Sequence, residues 1–169
     1  YRGAPAEEGV LTVAISQSGE TADTRAAFAE ARSKSGFRIA VCNVLGSSIT
    51  READGVFYTH AGPEISVAST KAFTSQLTAL YLLALFLGQQ RGRLKRAELA
   101  RHLDDLARLP ALIGKTLALN APMAELGQRF ARSRGCLYLG RDVNFPVALE
   151  GALKLKEISY IHAEGYAGG

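Results

Sequence analysis

Cysteine is scarce in this sequence, with two in 169 residues. Cys42 and Cys136 lie far apart, each inside an apolar run, and neither belongs to a metal-spaced C-x-x-C pair. Buried, reduced thiols are the expectation, and they suit a cytoplasmic protein. The chain opens Tyr1-Arg2-Gly3 without an initiating methionine or an apolar leader, so no secretory signal is read. Long hydrophobic runs are also lacking. The longest, Leu77 to Leu87, falls short of the ~20 residues that cross a bilayer, so it predicts a buried helix and no membrane association. The net charge of +4 has one source, since Arg91, Arg93, Lys95, Arg96, Arg101, Arg108 and Lys115 outnumber Glu98, Asp104 and Asp105. That basic stretch contains no aromatic residue. Without stacking side chains it does not read as a nucleic-acid surface, and a solvated connector is expected.

What is present suits a globular α/β protein. A composition of 47% hydrophobic and 21% charged residues is ordinary for a chain that buries its own core. Val10 to Ile15 is a short β-branched run read as a strand, and Ala22 to Lys34 is helical, stopped by Gly36. A second strand follows at Arg38 to Val44. Gly46-Ser47-Ser48 then opens a short helix, and Val56 to Thr59 forms a third strand. A long helix from about Ser69 to Leu87 is expected to end at Gly88. Alternating strands and helices predict a parallel sheet with helices on both faces. Residues 89–125 read as a helical connector broken by Pro110 and Pro122. Cys136 to Gly140 and Phe145 to Ile161 then read as one strand and one helix of a second α/β unit. One strand and one helix make too little for a domain, so the chain is expected to be truncated there, and at its start as well.

Ser16-Gln17-Ser18-Gly19-Glu20-Thr21 joins the first strand to the first helix. In parallel α/β sheets ligands bind beyond the carboxyl ends of strands, where helix N-termini offer unpaired N–H groups and partial positive charge. Three hydroxyls, an amide and a glycine at that place suit a phosphate monoester held without lysine or arginine. An ordinary Ser/Thr helix cap fits the same residues. Gly46-Ser47-Ser48 and Val67-Ala68-Ser69-Thr70 repeat the polar strand-to-helix turn twice, and three such turns converge on one sheet edge.

The helix from Phe145 carries Glu150, Lys154 and Glu157 in one narrow stripe, flanked by apolar residues. The stripe is expected to be withdrawn from bulk water. Two readings stand side by side. One is a Glu150–Lys154 i,i+4 pair contributing about 0.2–0.5 kcal/mol. The other is a site wall with a carboxylate base and an ammonium, poised for proton transfer.

Three blocks resemble one family in order. They are Ser16 to Thr24 with Cys42-Asn43-Val44 and Gly46-Ser47-Ser48; Ala61-Gly62-Pro63-Glu64-Ile65 through Val67 to Thr74; and Ala148 to Glu164. Together they resemble the isomerase part of the glutamine–fructose-6-phosphate aminotransferases, built from sugar isomerase (SIS) domains in tandem. The resemblance implies the later part of a first SIS domain at 1–90, a helical connector at 91–126 and the truncated start of a second SIS domain at 127–169. It implies fructose 6-phosphate as substrate and glucosamine 6-phosphate as product. Ser16, Gln17, Ser18 and Thr21 would bind the phosphate, and Val67 and Ser69 would line the sugar site. Glu157 would move the proton between C1 and C2 with Lys154 beside it, and Glu150 shares their face. No metal or redox cofactor is implied. The partners implied are a glutaminase domain of the same full-length chain and a second copy in a homodimer.

The family's glutaminase domain, its Cys-Gly-Thr-Ser loop, its ring-opening histidine and its C-terminal lysine have no counterpart here, so the 169 residues alone are expected to be inactive. His162 does not match the ring-opening histidine by motif position, and His60 and His102 read as surface or structural residues. Gly168 stands where the family often has alanine and would loosen that turn. Two alternatives remain: another SIS sugar-phosphate isomerase, and a non-enzymatic sugar-phosphate sensor attached to a DNA-binding module.

Overall fold

The computed structural model describes residues 8–34 and 36–168. The opening Tyr1-Arg2-Gly3, on which the reading of a missing leader rests, lies outside them. The chain divides into two compact units, 1–94 and 95–169.

In the first unit, β1 (Leu11–Ser16), β2 (Phe37–Cys42) and β3 (Gly55–Tyr58) form a parallel sheet in the order β1-β2-β3. The register pairs Ser16 with Cys42 and Cys42 with Tyr58, so the strands' carboxyl ends share one edge. The crossovers are α1 (Ala22–Glu30, extended by a 3-10 turn to Ser33) and α2 (Ser48–Glu52), and α3 (Lys71–Gln90) follows β3. Strand alternation sends Ala14, Ala40 and Cys42 to one face. There they form a buried core with Phe28 of α1 and Ile49 of α2. Ile39 and Phe57, on the opposite face, line a groove with Leu83 and Phe86 of α3. Helices therefore cover both faces, as the alternating pattern predicted.

Two expectations about α3 are corrected. Gly88 does not end the helix, which runs to Gln90, with Gly92 in the left-handed region at φ 64 just beyond. A glycine inside a helix only weakens it, whereas a positive φ stops it. Nor is the helix buried throughout, since only Ala72, Ala79 and Leu85 are, while Leu77 and Tyr81 are 48% and 41% exposed. Its 20 residues have a mean hydropathy of 1.3 over an 18-residue window, so by length and composition it is a candidate membrane span, with 17% of that window buried. One stripe of it meets the sheet, which accounts for the low burial.

Arg38 ties this unit together from inside, with its side chain 8% exposed. Its guanidinium stands 4.8 Å over the Phe28 ring, donates to Phe28 O (3.3 Å) and Glu52 O (2.6 Å), and has Asp54 Oδ2 at 3.9 Å. Methionine would keep the apolar stem and leave two carbonyls without their donor. Arg38→Met is therefore expected to destabilise the unit by about 2–3 kcal/mol, read from the urea midpoint of the full-length protein. A change within about 0.5 kcal/mol, the range of ordinary surface substitutions, would show the guanidinium to be dispensable.

The second unit contains α4 (Arg96–Ala107), α5 (Leu109–Leu117) and α6 (Asn120–Phe130), then β4 (Gly135–Gly140), α7 (Asn144–Ser159) and β5 (His162–Ala167). Pro110 sits in the first turn of α5 and Pro122 in that of α6, where a missing N–H breaks no helical bond. β5 corrects the expectation of a single strand: it pairs in parallel with β4, Gly135 opposite His162 through Gly140 opposite Ala167. Its sequence, HAEGYA, lacks the β-branched run that marks a strand, and pairing with β4 supplies the missing preference. α7 packs on this ladder through small residues. Ala148, Ala152 and Ala163 are buried, and a Cβ on Gly151 would come within 2.9 Å of the Tyr138 ring. The helix ends at Ser159 rather than Ile161, because Tyr160 is left-handed at φ 58. Gly168 donates to Gly140 O (2.8 Å) and accepts from Arg141 Nε (2.8 Å), so the turn expected to loosen is tied twice. Both cysteines are free; Cys42 is buried, but Cys136, expected buried, is half-exposed on the two-stranded ladder.

Candidate functional site

The carboxyl edge of the first unit's sheet gathers the three polar turns, but not as equivalents. The first turn is closed upon itself. Ser16, buried, accepts the Gly19 N–H (2.9 Å), and Ser18 accepts the Glu20 N–H (3.1 Å). A hydroxyl that accepts keeps its own proton to donate, so both serines still have one for an anion. Gly19 is at φ 70, and its carbonyl receives the Ile49 N–H (3.2 Å). Thr21 occupies the N-cap of α1 with no side-chain capping bond. The side chains of Gln17 and Thr21 bond to no described residue, so the first turn of α1 is left to other acceptors.

The other two helix starts are occupied by carboxylates of the chain itself. Glu20 accepts the Ser48 N–H (2.7 Å) at the start of α2, with Arg25 3.6 Å away. Ser47 Oγ is buried between Cys42 Sγ and Thr50 Oγ1, each at 3.4 Å. Glu64 accepts the N–H groups of Thr70 (3.0 Å) and Ala72 (2.9 Å) at the start of α3. Backbone donors, from Ser48 for Glu20 and foremost from Ala72 for Glu64, hold both carboxyls below the usual carboxylate range. Such a contribution is present above the unfolded pKa and lost as pH falls through the folded one. Of three turns that looked alike, only that of α1 has its amides uncommitted.

A cleft of about 430 Å³ opens beside this turn, lined by Gln17, Asn43, Val44, Leu45 and His60 among others. Asn43 shapes it: its amide donates to Gly62 O (2.8 Å), and its carbonyl accepts from Ala61 N (2.8 Å) and Thr59 Oγ1 (3.1 Å). That fold-back has His60 at φ 50, exposed as expected and among the residues that line the cleft. Val67 is 95% exposed, and Ser69 is left-handed at φ 54. Residue type alone marks neither Asn43 nor the carboxylates Glu20 and Glu64, because their partners are set by folding. An acidic residue shortly before a helix start, as Glu64 is, was the one available signal.

In the second unit, Lys154 Nζ lies between two carboxylates of α7, 2.8 Å from Glu150 Oε1 and 3.2 Å from Glu157 Oε2. Burial works against its charge, but the hydrogen bonds it donates to Glu150 and Glu157 outweigh it and raise the lysine above its ordinary value. A raised lysine contributes stability below its unfolded pKa and loses it as pH rises through the folded one, so the contribution is complete at neutral pH. The expected withdrawal from water is only partial. Glu150 and Lys154 are 24% and 25% exposed at the side chain and Glu157 36%, while the flanking Val147 and Ile158 are 54% and 67% exposed. The sheet of this unit meets the Ala148–Ala152 seam of α7 and leaves the flanks uncovered. Nearby on β5, His162 Nε2 lies 3.3 Å from Glu164, which also accepts from Tyr166 Oη. Among the described residues no cluster of His, Cys, Asp or Glu is placed to hold a metal ion.

A parallel sheet covered on both faces, with a helix start free of a side-chain cap at its carboxyl edge, defines an α/β domain of the kind in which ligands bind beyond the strands' carboxyl ends. The chain belongs to the SIS domain family, whose model matches residues 2–86. Over all 169 residues it is 52% identical to a glutamine–fructose-6-phosphate aminotransferase [isomerizing] of Mycobacterium bovis and 53% identical to that of Symbiobacterium thermophilum. It spans 27% and 28% of those proteins, about a quarter of their length. Among solved structures it is similar to the C-terminal domain of glucosamine-fructose-6-phosphate aminotransferase from Francisella tularensis. The TM-score is 0.95 and the identity 42%, covering 99% of this chain and 48% of that one. A glucosamine-6-phosphate deaminase from Thermotoga maritima shares the fold at a TM-score of 0.63 and 18% identity, covering 96% of this chain and 46% of that one.

Proposed function

We propose that this chain is part of the isomerase region of an enzyme that converts fructose 6-phosphate and glutamine-derived ammonia to glucosamine 6-phosphate. The observation that carries the reading is the Glu150–Lys154–Glu157 row, in which one ammonium bonds two carboxylates. It is supported by the identity along the whole chain to aminotransferases named for this reaction.

Ammonia adds to the C2 carbonyl and water leaves. The imine then tautomerises by proton transfer between C1 and C2, a task for one carboxylate within hydrogen-bond reach of both carbons. Glu157 is that base, and Lys154 stands beside it. Glu150 holds Lys154 from the other side and so positions it. In the first unit Ser16, Ser18 and Thr21 donate hydroxyl protons to the phosphate, with Gln17 and the first-turn amides of α1. Val67 and Ser69 line the sugar. Residues 127–169 open a second SIS domain, and the working molecule is a cytoplasmic homodimer whose full-length chain includes a glutaminase domain.

The phosphate assignment is tested by Ser18→Ala combined with Thr21→Ala in the full-length protein. Two lost hydroxyl donors to a charged ligand are expected to weaken fructose 6-phosphate binding by roughly a hundredfold in calorimetry. Unchanged affinity would reduce the turn to an ordinary helix cap.

A further inference from the structure

Glu64 bonds more donors than a helix cap requires. Its Oε2 accepts the N–H groups of Thr70 (3.0 Å) and Ala72 (2.9 Å), and its Oε1 accepts Ser66 N (3.3 Å) and Thr70 Oγ1 (3.3 Å). One carboxylate thus closes the chain from 64 to 72 into a ring. Inside that ring Ser66 Oγ accepts the Ala68 N–H (3.2 Å), Ala68 is buried, and Ser69 donates its N–H to Ser66 O (3.3 Å). Ser69 has φ 54, a conformation that disfavours any residue with a Cβ and persists only where its surroundings dictate it. The Ser69 hydroxyl bonds to no described residue, and Val67 is almost fully exposed. The turn is built rigid around two residues that use nothing of their own side chains to hold it.

We propose that Glu64 is a positioning residue for the sugar-binding turn, its two oxygens fixing residues 65–70 so that Val67 and Ser69 are in place before substrate arrives. The proposal rests on the functional reading above, which assigns Val67 and Ser69 to the sugar. A turn that needs no ordering on binding retains affinity that a loose one would lose. Glutamine has a similar shape but a single acceptor oxygen, and its amide nitrogen would face an N–H donor.

The test uses the full-length protein with Glu64→Gln, and Glu64→Asp as a variant that keeps two acceptor oxygens. Glu64→Gln is expected to raise KM for fructose 6-phosphate about tenfold or more, as loss of a charged hydrogen bond does, with kcat within about twofold. Inhibition by inorganic phosphate should be unchanged, because the α1 turn makes no bond to Glu64. Hydrogen exchange at Thr70 and Ala72 should quicken, and Glu64→Asp should fall between the two. If wild type turns over fructose 6-phosphate and Glu64→Gln leaves KM and both amides unchanged, the positioning role is overturned alone. A fall in kcat at constant KM, with a lower melting temperature, overturns it in favour of a folding role. Should Glu64→Gln fail to fold, an unchanged KM in Glu64→Asp despite faster exchange at Thr70 and Ala72 also overturns it. Wild type without turnover of fructose 6-phosphate and glutamine overturns the functional reading and this inference with it.

Discussion

Glucosamine 6-phosphate formation by the full-length protein is expected to fall at least about a hundredfold on Glu157→Gln, the usual scale for losing a positioned general base. Fructose 6-phosphate binding should survive, because the phosphate contacts are assigned to the first unit. The substitution is informative because of Lys154. A glutamine carbonyl can still accept from Nζ, now 3.2 Å from Glu157 and 2.8 Å from Glu150, so the row stays folded while the proton acceptor is gone. Steady-state product formation gives the loss, and calorimetry with fructose 6-phosphate gives the retained affinity. Turnover near wild type would remove Glu157 from the role of base. Glu150→Gln differs in kind: it takes charge from the far side of Lys154 and should slow the reaction less.

Gly19→Ala is expected to have the largest effect on the first unit. At φ 70 an L-residue is disfavoured by about 1–2 kcal/mol. The added Cβ would also collide with Ser47 Oγ, lie 2.7 Å from Ser47 Cβ and come within 2.9 Å of Cys42 Sγ. Ser47 cannot simply turn aside, since it is buried and hydrogen-bonded to Cys42 and Thr50. Strain and overpacking together should destabilise the unit by about 2–4 kcal/mol, measured by urea denaturation. The Gly19 N–H that closes onto Ser16 would move as well, so inorganic phosphate should lose about tenfold or more in affinity. Wild-type stability with wild-type phosphate binding would show that the contact with α2 relaxes freely and that the turn is not a rigid cradle.

These two residues differ in how far the sequence revealed them. Spacing put Glu157 on one helix face with Glu150 and Lys154 whatever the helix packs against, but only the family resemblance singled it out from the other two. The need for glycine at 19 was half visible: a turn glycine suggests positive φ, but the wall it meets is formed by Cys42 at the end of β2 and Ser47 before α2, which folding brings to it. β5 was invisible for the same kind of reason. His162 to Ala167 has no strand signature of its own and takes its conformation from the parallel pairing with β4. The end of α3 shows the limit of local punctuation, since Gly88 stays helical and the chain turns after Gln90.

By itself the sequence determined the alternation of strands and helices, the parallel class of the first sheet, the polar turns at its carboxyl edge and the charged row on α7. All of these follow from periodicity and from residues a few positions apart, whose geometry the backbone sets. Only the tertiary structure decided which turn remains open to an anion. Glu20 reaches Ser48 and Glu64 reaches Ala72, so amides at two of three similar helix starts are bonded by carboxylates from elsewhere in the fold, while those of α1, whose first turn carries Asp23, receive no such bond among the described residues. A helix start attracts whatever negative charge folding brings to it, and the competition between a side chain and a ligand is settled by contacts across the fold.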